Sequence, residues 1–154
     1  MHPALLALLI CAAGAVLEGA LAGRDVRARF AKLRQPPFSP SLLVWLVIGG
    51  AYYIICYVIL FRLLASELAA GHRAALALVM ALMMANAAWN FVFFRRKDLR
   101  ASFLAFLPYT LVAVALMLIL AGIDRTSALV LTPYLLYLCY SVWWSYRVWV
   151  LNPV

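Results

Sequence analysis

Negative charge is scarce in this chain. Its 154 residues include five acidic side chains against thirteen lysines and arginines, and charged residues make up only 12% of the total. Uncharged runs cover about 42–61, 74–94, 101–123 and 126–146, and an apolar opening covers 3–17. Soluble domains of this length do not carry so much apolar surface, so that class is excluded. The runs are continuous rather than alternating, which excludes a membrane β-barrel. Histidine is limited to His2 and His72, both isolated and near membrane surfaces. The three cysteines, Cys11, Cys56 and Cys139, lie far apart inside apolar runs. No metal-ligand spacing results, no metal site is expected, and all three thiols are expected to be buried as small hydrophobes.

What is present is hydrophobic length. At about 1.5 Å of rise per residue, each run of about 20 residues spans a bilayer core. The fold class read from the sequence is therefore an all-α polytopic membrane protein, a bundle of five transmembrane helices. The spans are predicted at about 3–22, 42–61, 74–94, 101–123 and 127–150, in a single domain over 1–154. Residues 3–22 also resemble a signal peptide ending at Ala20-Leu21-Ala22. With no Lys or Arg ahead of the apolar stretch, a first membrane helix is the favoured reading.

The net charge of +8 is distributed unevenly. Loop one, Arg24 to Arg34, sums to +4, loop three, Arg95 to Arg100, sums to +3, and Arg147 adds +1 near the C-terminus. Loop two (Arg62, Glu67, Arg73) and loop four (Asp124, Arg125) are nearly balanced. This asymmetry predicts loops one and three and the C-terminus in the cytoplasm, facing anionic headgroups; nucleic acid is not expected as a partner.

Two amides interrupt the third span, in Ala85-Asn-Ala-Ala-Trp-Asn-Phe-Val-Phe-Phe94. An amide facing acyl chains costs several kcal/mol without a partner, so Asn86 and Asn90 are expected to face inward. Trp89 and Phe93 share their face at helical spacing. The opposite face carries Ala77, Ala81 and Ala85, a flat side suited to another helix or a second copy of the chain. In the second span Trp45, Gly49, Tyr52 and Cys56 form a notched stripe. In the fifth, Tyr137, Ser141 and Trp144 align, with Tyr134 at the margin.

Between the first two spans, Val26, Phe30 and Leu33 predict a short helix in the headgroup layer. Pro36, Pro37 and Pro40 then impose extended or turn geometry. Segment 24–41, with Pro36, Phe38 and Pro40, is a candidate lid over a cavity mouth. Gly71 is expected to mark a helix end. Pro133 is expected to free the carbonyl of Leu129, with Thr132 or a neighbour to satisfy it. Glu18 sits near the basic end of the first span, within reach of the interface, and is not expected to serve as a membrane-centred acid.

Three stretches resemble one family. Gln35-Pro-Pro-Phe-Ser-Pro40 is similar to a K-P-x-W-x-P-P loop. Asn86-x-x-Trp89 followed by Phe93-Phe94 is similar to an L-N-x-x-W-x-x-x-F-F third helix. Thr132-Pro-Tyr-Leu-Leu-Tyr137, with Val148-Trp-Val-Leu-Asn152, is similar to a P-Y-L-x-W fifth helix and its V-W-x-x-N sequel. The chain so resembles the TspO/MBR family of translocator proteins, peripheral-type benzodiazepine receptors and tryptophan-rich sensory proteins.

That resemblance implies a pocket opening toward loop one, and ligands that include porphyrins and other tetrapyrroles, sterols and benzodiazepine-type drugs. It matches Trp45, Asn86 and Trp89 to family positions and raises a homodimer as a partner arrangement. The chain departs from the pattern where Tyr137 replaces a tryptophan, where Trp144-Ser145 replaces a Leu-Asn pair, and where loop one has Phe30 and Phe38 near its tryptophan positions.

The candidate ligand-binding set is therefore Trp45, Gly49, Tyr52, Asn86, Trp89, Asn90, Phe93, Tyr134, Tyr137, Ser141 and Trp144. No catalytic residue, metal or required cofactor is assigned. The function read from the sequence is a membrane receptor for flat hydrophobic ligands, first among them porphyrin or haem-type tetrapyrroles, with a sensory, trafficking or stress-regulatory role. Light-dependent porphyrin degradation and passive transport of tetrapyrrole or lipid are the alternatives.

Overall fold

A computed structural model describes residues 2–66 and 70–153; Glu67 of loop two lies outside them. Five long helices, α1 (Pro3–Ala22), α3 (Leu42–Ala65), α4 (Ala70–Asn90), α5 (Leu99–Ile123) and α6 (Arg125–Leu151), accompany the short α2 (Val26–Lys32). α4 continues without a break into a π-helical segment, Phe91–Arg96. Each of the five is long and apolar enough to cross a membrane, and the protein is an integral multi-pass membrane bundle.

Local chemistry sets the helix ends. His2 Nδ1 accepts the Ala4 N–H, Pro3 occupies the first turn, and Gly23 (φ 82°) closes α1 in a left-handed conformation that favours glycine. Ser41 caps α3 through its side-chain oxygen, as its position before the span predicts, and Asp98 caps α5. Gly71 ends nothing: it lies in the first turn of α4, where a Cβ would stand 3.1 Å from Ile123.

Two further expectations are corrected. Thr132 donates to the carbonyl of Ala128 at 3.0 Å rather than to that of Leu129, because a threonine hydroxyl in a helix reaches the residue four before it. Cys11 and Cys56 are buried, but Cys139 is exposed, its place on α6 turning it outward beside Leu136 and Trp143.

The helices close in the order α1, α3, α6, α5, α4 and back to α1. The exterior is aliphatic, with Leu43, Val47, Leu107, Leu111, Leu118, Leu129 and Leu136 exposed, the arrangement required when the surrounding solvent is lipid. Inside, the half nearer loop two is solid, filled by Cys56, Leu60, Leu63, Val79, Leu82, Leu116, Leu120 and Leu131. Gly14 lets α1 approach α4 closely; a Cβ would press into the Met83 side chain. The other half holds a separate cluster of Leu33, Phe93, Leu99, Trp144 and Val148.

Loop one, loop three and the C-terminus meet at that second end. Arg29 donates to the carbonyl of Lys97 at 3.2 Å, and Arg34 and Asn152 exchange hydrogen bonds at 2.8 and 3.0 Å.

At the opposite end Asp124 joins three helices. It takes two 2.8 Å bonds from Arg62 and accepts from the Thr126 and Ser127 N–H groups and the Ser127 hydroxyl. The Arg62 guanidinium holds its carboxyl well below the usual carboxylate range, with Ser127 acting in the same direction. Because the folded value is depressed, this contribution is complete above the unfolded carboxylate value near pH 4 and is lost as pH falls below it. Asp124→Ala, which removes the cap of α6, is expected to cost about 1 kcal/mol or more at pH 7. In thermal unfolding in neutral detergent the gap between wild type and variant should narrow below about pH 4; a gap that is constant from pH 7 to pH 2 would refute the role given to the ionised carboxylate.

Candidate ligand-binding site

Between the solid core and the loop-one end lies a cavity of about 370 Å³. All eleven residues expected to bind ligand, Trp45, Gly49, Tyr52, Asn86, Trp89, Asn90, Phe93, Tyr134, Tyr137, Ser141 and Trp144, line it. The α4 face arises as the spacing predicts, since Asn86, Trp89, Asn90 and Phe93 turn toward one side of the helix. The π-helical segment begins directly after Asn90 and carries Phe93 in against Trp89 and Trp144, with ring centroids 4.9 and 5.7 Å apart.

The aromatic wall is a network. Trp45 contacts Trp144 at 4.7 Å and the edge of Tyr137 at 5.8 Å. Trp89 is fixed from outside the cavity by its Nε1–H, which donates to the Ser102 carbonyl at 3.1 Å. Ser141 spends its hydroxyl on the Tyr137 carbonyl, so it shapes the wall without offering a free donor. Such aromatic contacts add about 0.5–1.5 kcal/mol each beyond burial, and they brace the wall.

The polar side of the cavity centres on Glu18. Its Oε2 accepts from the Tyr53 hydroxyl and from Asn86 Nδ2, both at 2.7 Å, and its Oε1 accepts from Asn90 Nδ2 at 2.9 Å. Asn86 Oδ1 in turn accepts from Tyr109 at 3.2 Å, and the Tyr109 and Tyr134 hydroxyls are hydrogen-bonded to each other. The expectation that Glu18 reaches the membrane interface is therefore wrong in direction. It lies one turn from the end of α1, and the helix rotates it inward, where three donors satisfy it. Helical spacing within a single span could not reveal this, because the partners come from α3 and α4.

The lid also differs from expectation. Pro36, Phe38 and Pro40 do not line the cavity, and Phe38 is 94% exposed. Ser39 N–H bonds to the Pro36 carbonyl, closing a turn with Phe38 in the left-handed region (φ 63°), which aims its ring outward. The segment is strapped to α6 by Trp144 Nε1 on Ser39 Oγ (2.8 Å) and by the Tyr140 hydroxyl on the Phe38 carbonyl (3.1 Å). Val26 and Phe30 of α2 cover the cavity instead, and Phe30 stacks on Trp144 with its centroid at 6.3 Å. Of the alanine face, Ala77 and Ala81 are exposed and Ala85 is half-buried against the core.

A profile of the TspO/MBR family matches residues 7–150. The chain belongs to the TspO/MBR family. No individually curated protein matches it. Membership accords with the three resembling stretches, and the TspO/MBR match runs from α1 into α6, taking in nearly all of every helix that builds the cavity. The family supports a binding or regulatory role in a membrane for this chain. Glu18, Tyr53 and Tyr109 line the cavity and were missed in the reading of the sequence; a carboxylate one turn inside an apolar helix was the one available signal.

Asn86 is the hinge of the polar network, donating to one partner and accepting from another. Asn86→Leu strips a donor from Glu18 and an acceptor from Tyr109, and is expected to destabilise the bundle by about 1–3 kcal/mol. Leu118→Ala, on the outward face of α5, should stay within about 1 kcal/mol of wild type. Equal melting temperatures for the two variants would count against a structural network.

Proposed function

We propose that this TspO/MBR protein is a membrane receptor for flat, largely apolar ligands, with porphyrins and other tetrapyrroles the first class. One observation carries the reading: a preformed cavity walled by Trp45, Trp89, Tyr137 and Trp144, with the hydrogen-bonded network of Glu18, Asn86 and Asn90 as its polar side. Its volume falls in the range of about 300–1,000 Å³ usual for small-molecule sites, and its lining has the usual balance of apolar walls and few polar groups. Aromatic faces reward a planar ligand over a globular one. Sterols and benzodiazepine-type drugs fit the same apolar walls with less use of the polar side. The cation-rich end formed by loops one and three and the C-terminus is assigned to the cytoplasm, on the charge rule.

Titration of the purified protein with protoporphyrin IX, read by tryptophan fluorescence quenching, is expected to saturate near one ligand per protomer. Replacing Trp45 and Asn86 together by alanine should weaken binding about tenfold or more, since a stacked aromatic and a polar contact each contribute on the order of 1 kcal/mol. Unchanged affinity would remove the cavity from consideration. Illuminating the saturated complex separates holding from photo-oxidation, which alone gives a new absorbing product. Protein-dependent uptake of protoporphyrin into proteoliposomes would instead favour passive transfer.

A homodimer through α4 is proposed on the exposed Ala77 and Ala81, small residues that permit close helix approach. Ala81→Cys, made with Cys139 replaced by serine, should cross-link to a dimer under mild oxidation in membranes. Cross-linking no greater than for a cysteine at Leu118 would dismiss the interface.

A further inference from the structure

The cavity is electrically one-sided. Among the described residues Glu18 is the single charged side chain in its lining, with no lysine, arginine or histidine beside it. A carboxylate offers about four acceptor positions. Three are filled, two on Oε2 and one on Oε1, by groups that act toward it only as donors. One acceptor position on Oε1 is left for a ligand. Tyr52 and Trp45 also line the cavity, but the Tyr52 hydroxyl and Trp45 Nε1 are themselves covered by surrounding protein and have no hydrogen-bond partner among the described residues.

Beside the cavity the chain carries both signs: Gly23 and Val26 line it, and their neighbours Arg24, Asp25 and Arg27 are exposed.

Resting on the cavity being the ligand site, we infer that Glu18 selects ligands presenting an N–H or protonated nitrogen to the polar side and turns away those presenting a carboxylate there. The physical reason is an asymmetry of cost. A donor nitrogen completes the coordination of an otherwise desolvated carboxylate through a charge-assisted bond. A ligand carboxylate at the same place would meet like charge in a low-dielectric space with no cation to neutralise it. Acidic substituents belong on the side of the ligand away from Glu18. The favoured ligand is therefore a flat ring system with donor nitrogen at its inner part and any anionic group at its outer edge.

The test uses the full chain in neutral detergent and two planar probes of similar size, cationic 9-aminoacridine and anionic acridine-9-carboxylate. Both are titrated by fluorescence and displaced with protoporphyrin IX to establish the site. Wild type is expected to bind the cation about tenfold tighter or better, the scale of one charge-assisted bond gained against one repulsion avoided. Glu18→Gln should bring the two affinities within about threefold, and Glu18→Asp, which keeps the charge, should retain the preference for the cation.

Equal wild-type affinities for the two probes, or a preference that survives Glu18→Gln, would overturn the inference while saturable protoporphyrin binding left the cavity assignment standing. If protoporphyrin and both probes fail to saturate, the cavity assignment fails and takes this inference with it. Because the wild-type comparison needs no variant, the inference remains testable even if Glu18→Gln does not fold.

Discussion

A carboxyl group inside a membrane bundle is tolerable only where its hydrogen bonds are supplied by protein, and the three donors around Glu18 meet that condition. They come from different helices: Tyr53 from α3, and Asn86 and Asn90 from α4, all reaching a residue of α1. The carboxylate thus fixes the rotation of three rods about their axes. Rotating any one of them would leave an orphaned polar group against hydrocarbon, which costs more than most packing contacts return. The polar side of the cavity is a consequence of that lock, and the aromatic side is assembled around it.

The bundle divides its length between two tasks. Toward loop two, interlocking aliphatic side chains fill the interior and supply stability. Toward loop one, large aromatic side chains pack on one another around a space they do not fill. The π-helical segment at the end of α4 belongs to this second half. A wider turn changes the angular position of the side chains that follow it, and here Phe93 is brought against Trp144 of α6. The proline segment serves by being tied down. With its backbone and Ser39 bonded to α6, it holds the entry to α3 and leaves α2 to close over the opening.

Much of the site was legible because membrane sequences state their exceptions. Asn86 and Asn90 stand out in an uncharged run, and helical spacing places Trp89 and Phe93 on the same face. The stripes on α3 and α6 follow from the same periodicity. The lid was misread because a proline run indicates stiffness but not direction: the turn at Pro36–Ser39 sends Phe38 outward, and the apolar edge of α2 does the covering. Cys139 was misread because an apolar run does not say which of its faces meets lipid. Glu18 was placed at about the right depth and given the wrong heading, since depth follows from counting residues and heading depends on neighbours.

By itself the sequence determined that five helices cross a bilayer, where they begin and end to within a few residues, and which family they belong to. Each of these follows from local composition, period and motif order. Only the tertiary structure decided that Glu18 faces inward, that Tyr53 and Tyr109 join the polar network, and that the bundle stays open at one end. Those outcomes depend on the relative rotation and packing of separate helices, and that information is shared among α1, α3, α4, α5 and α6 rather than carried by any one of them.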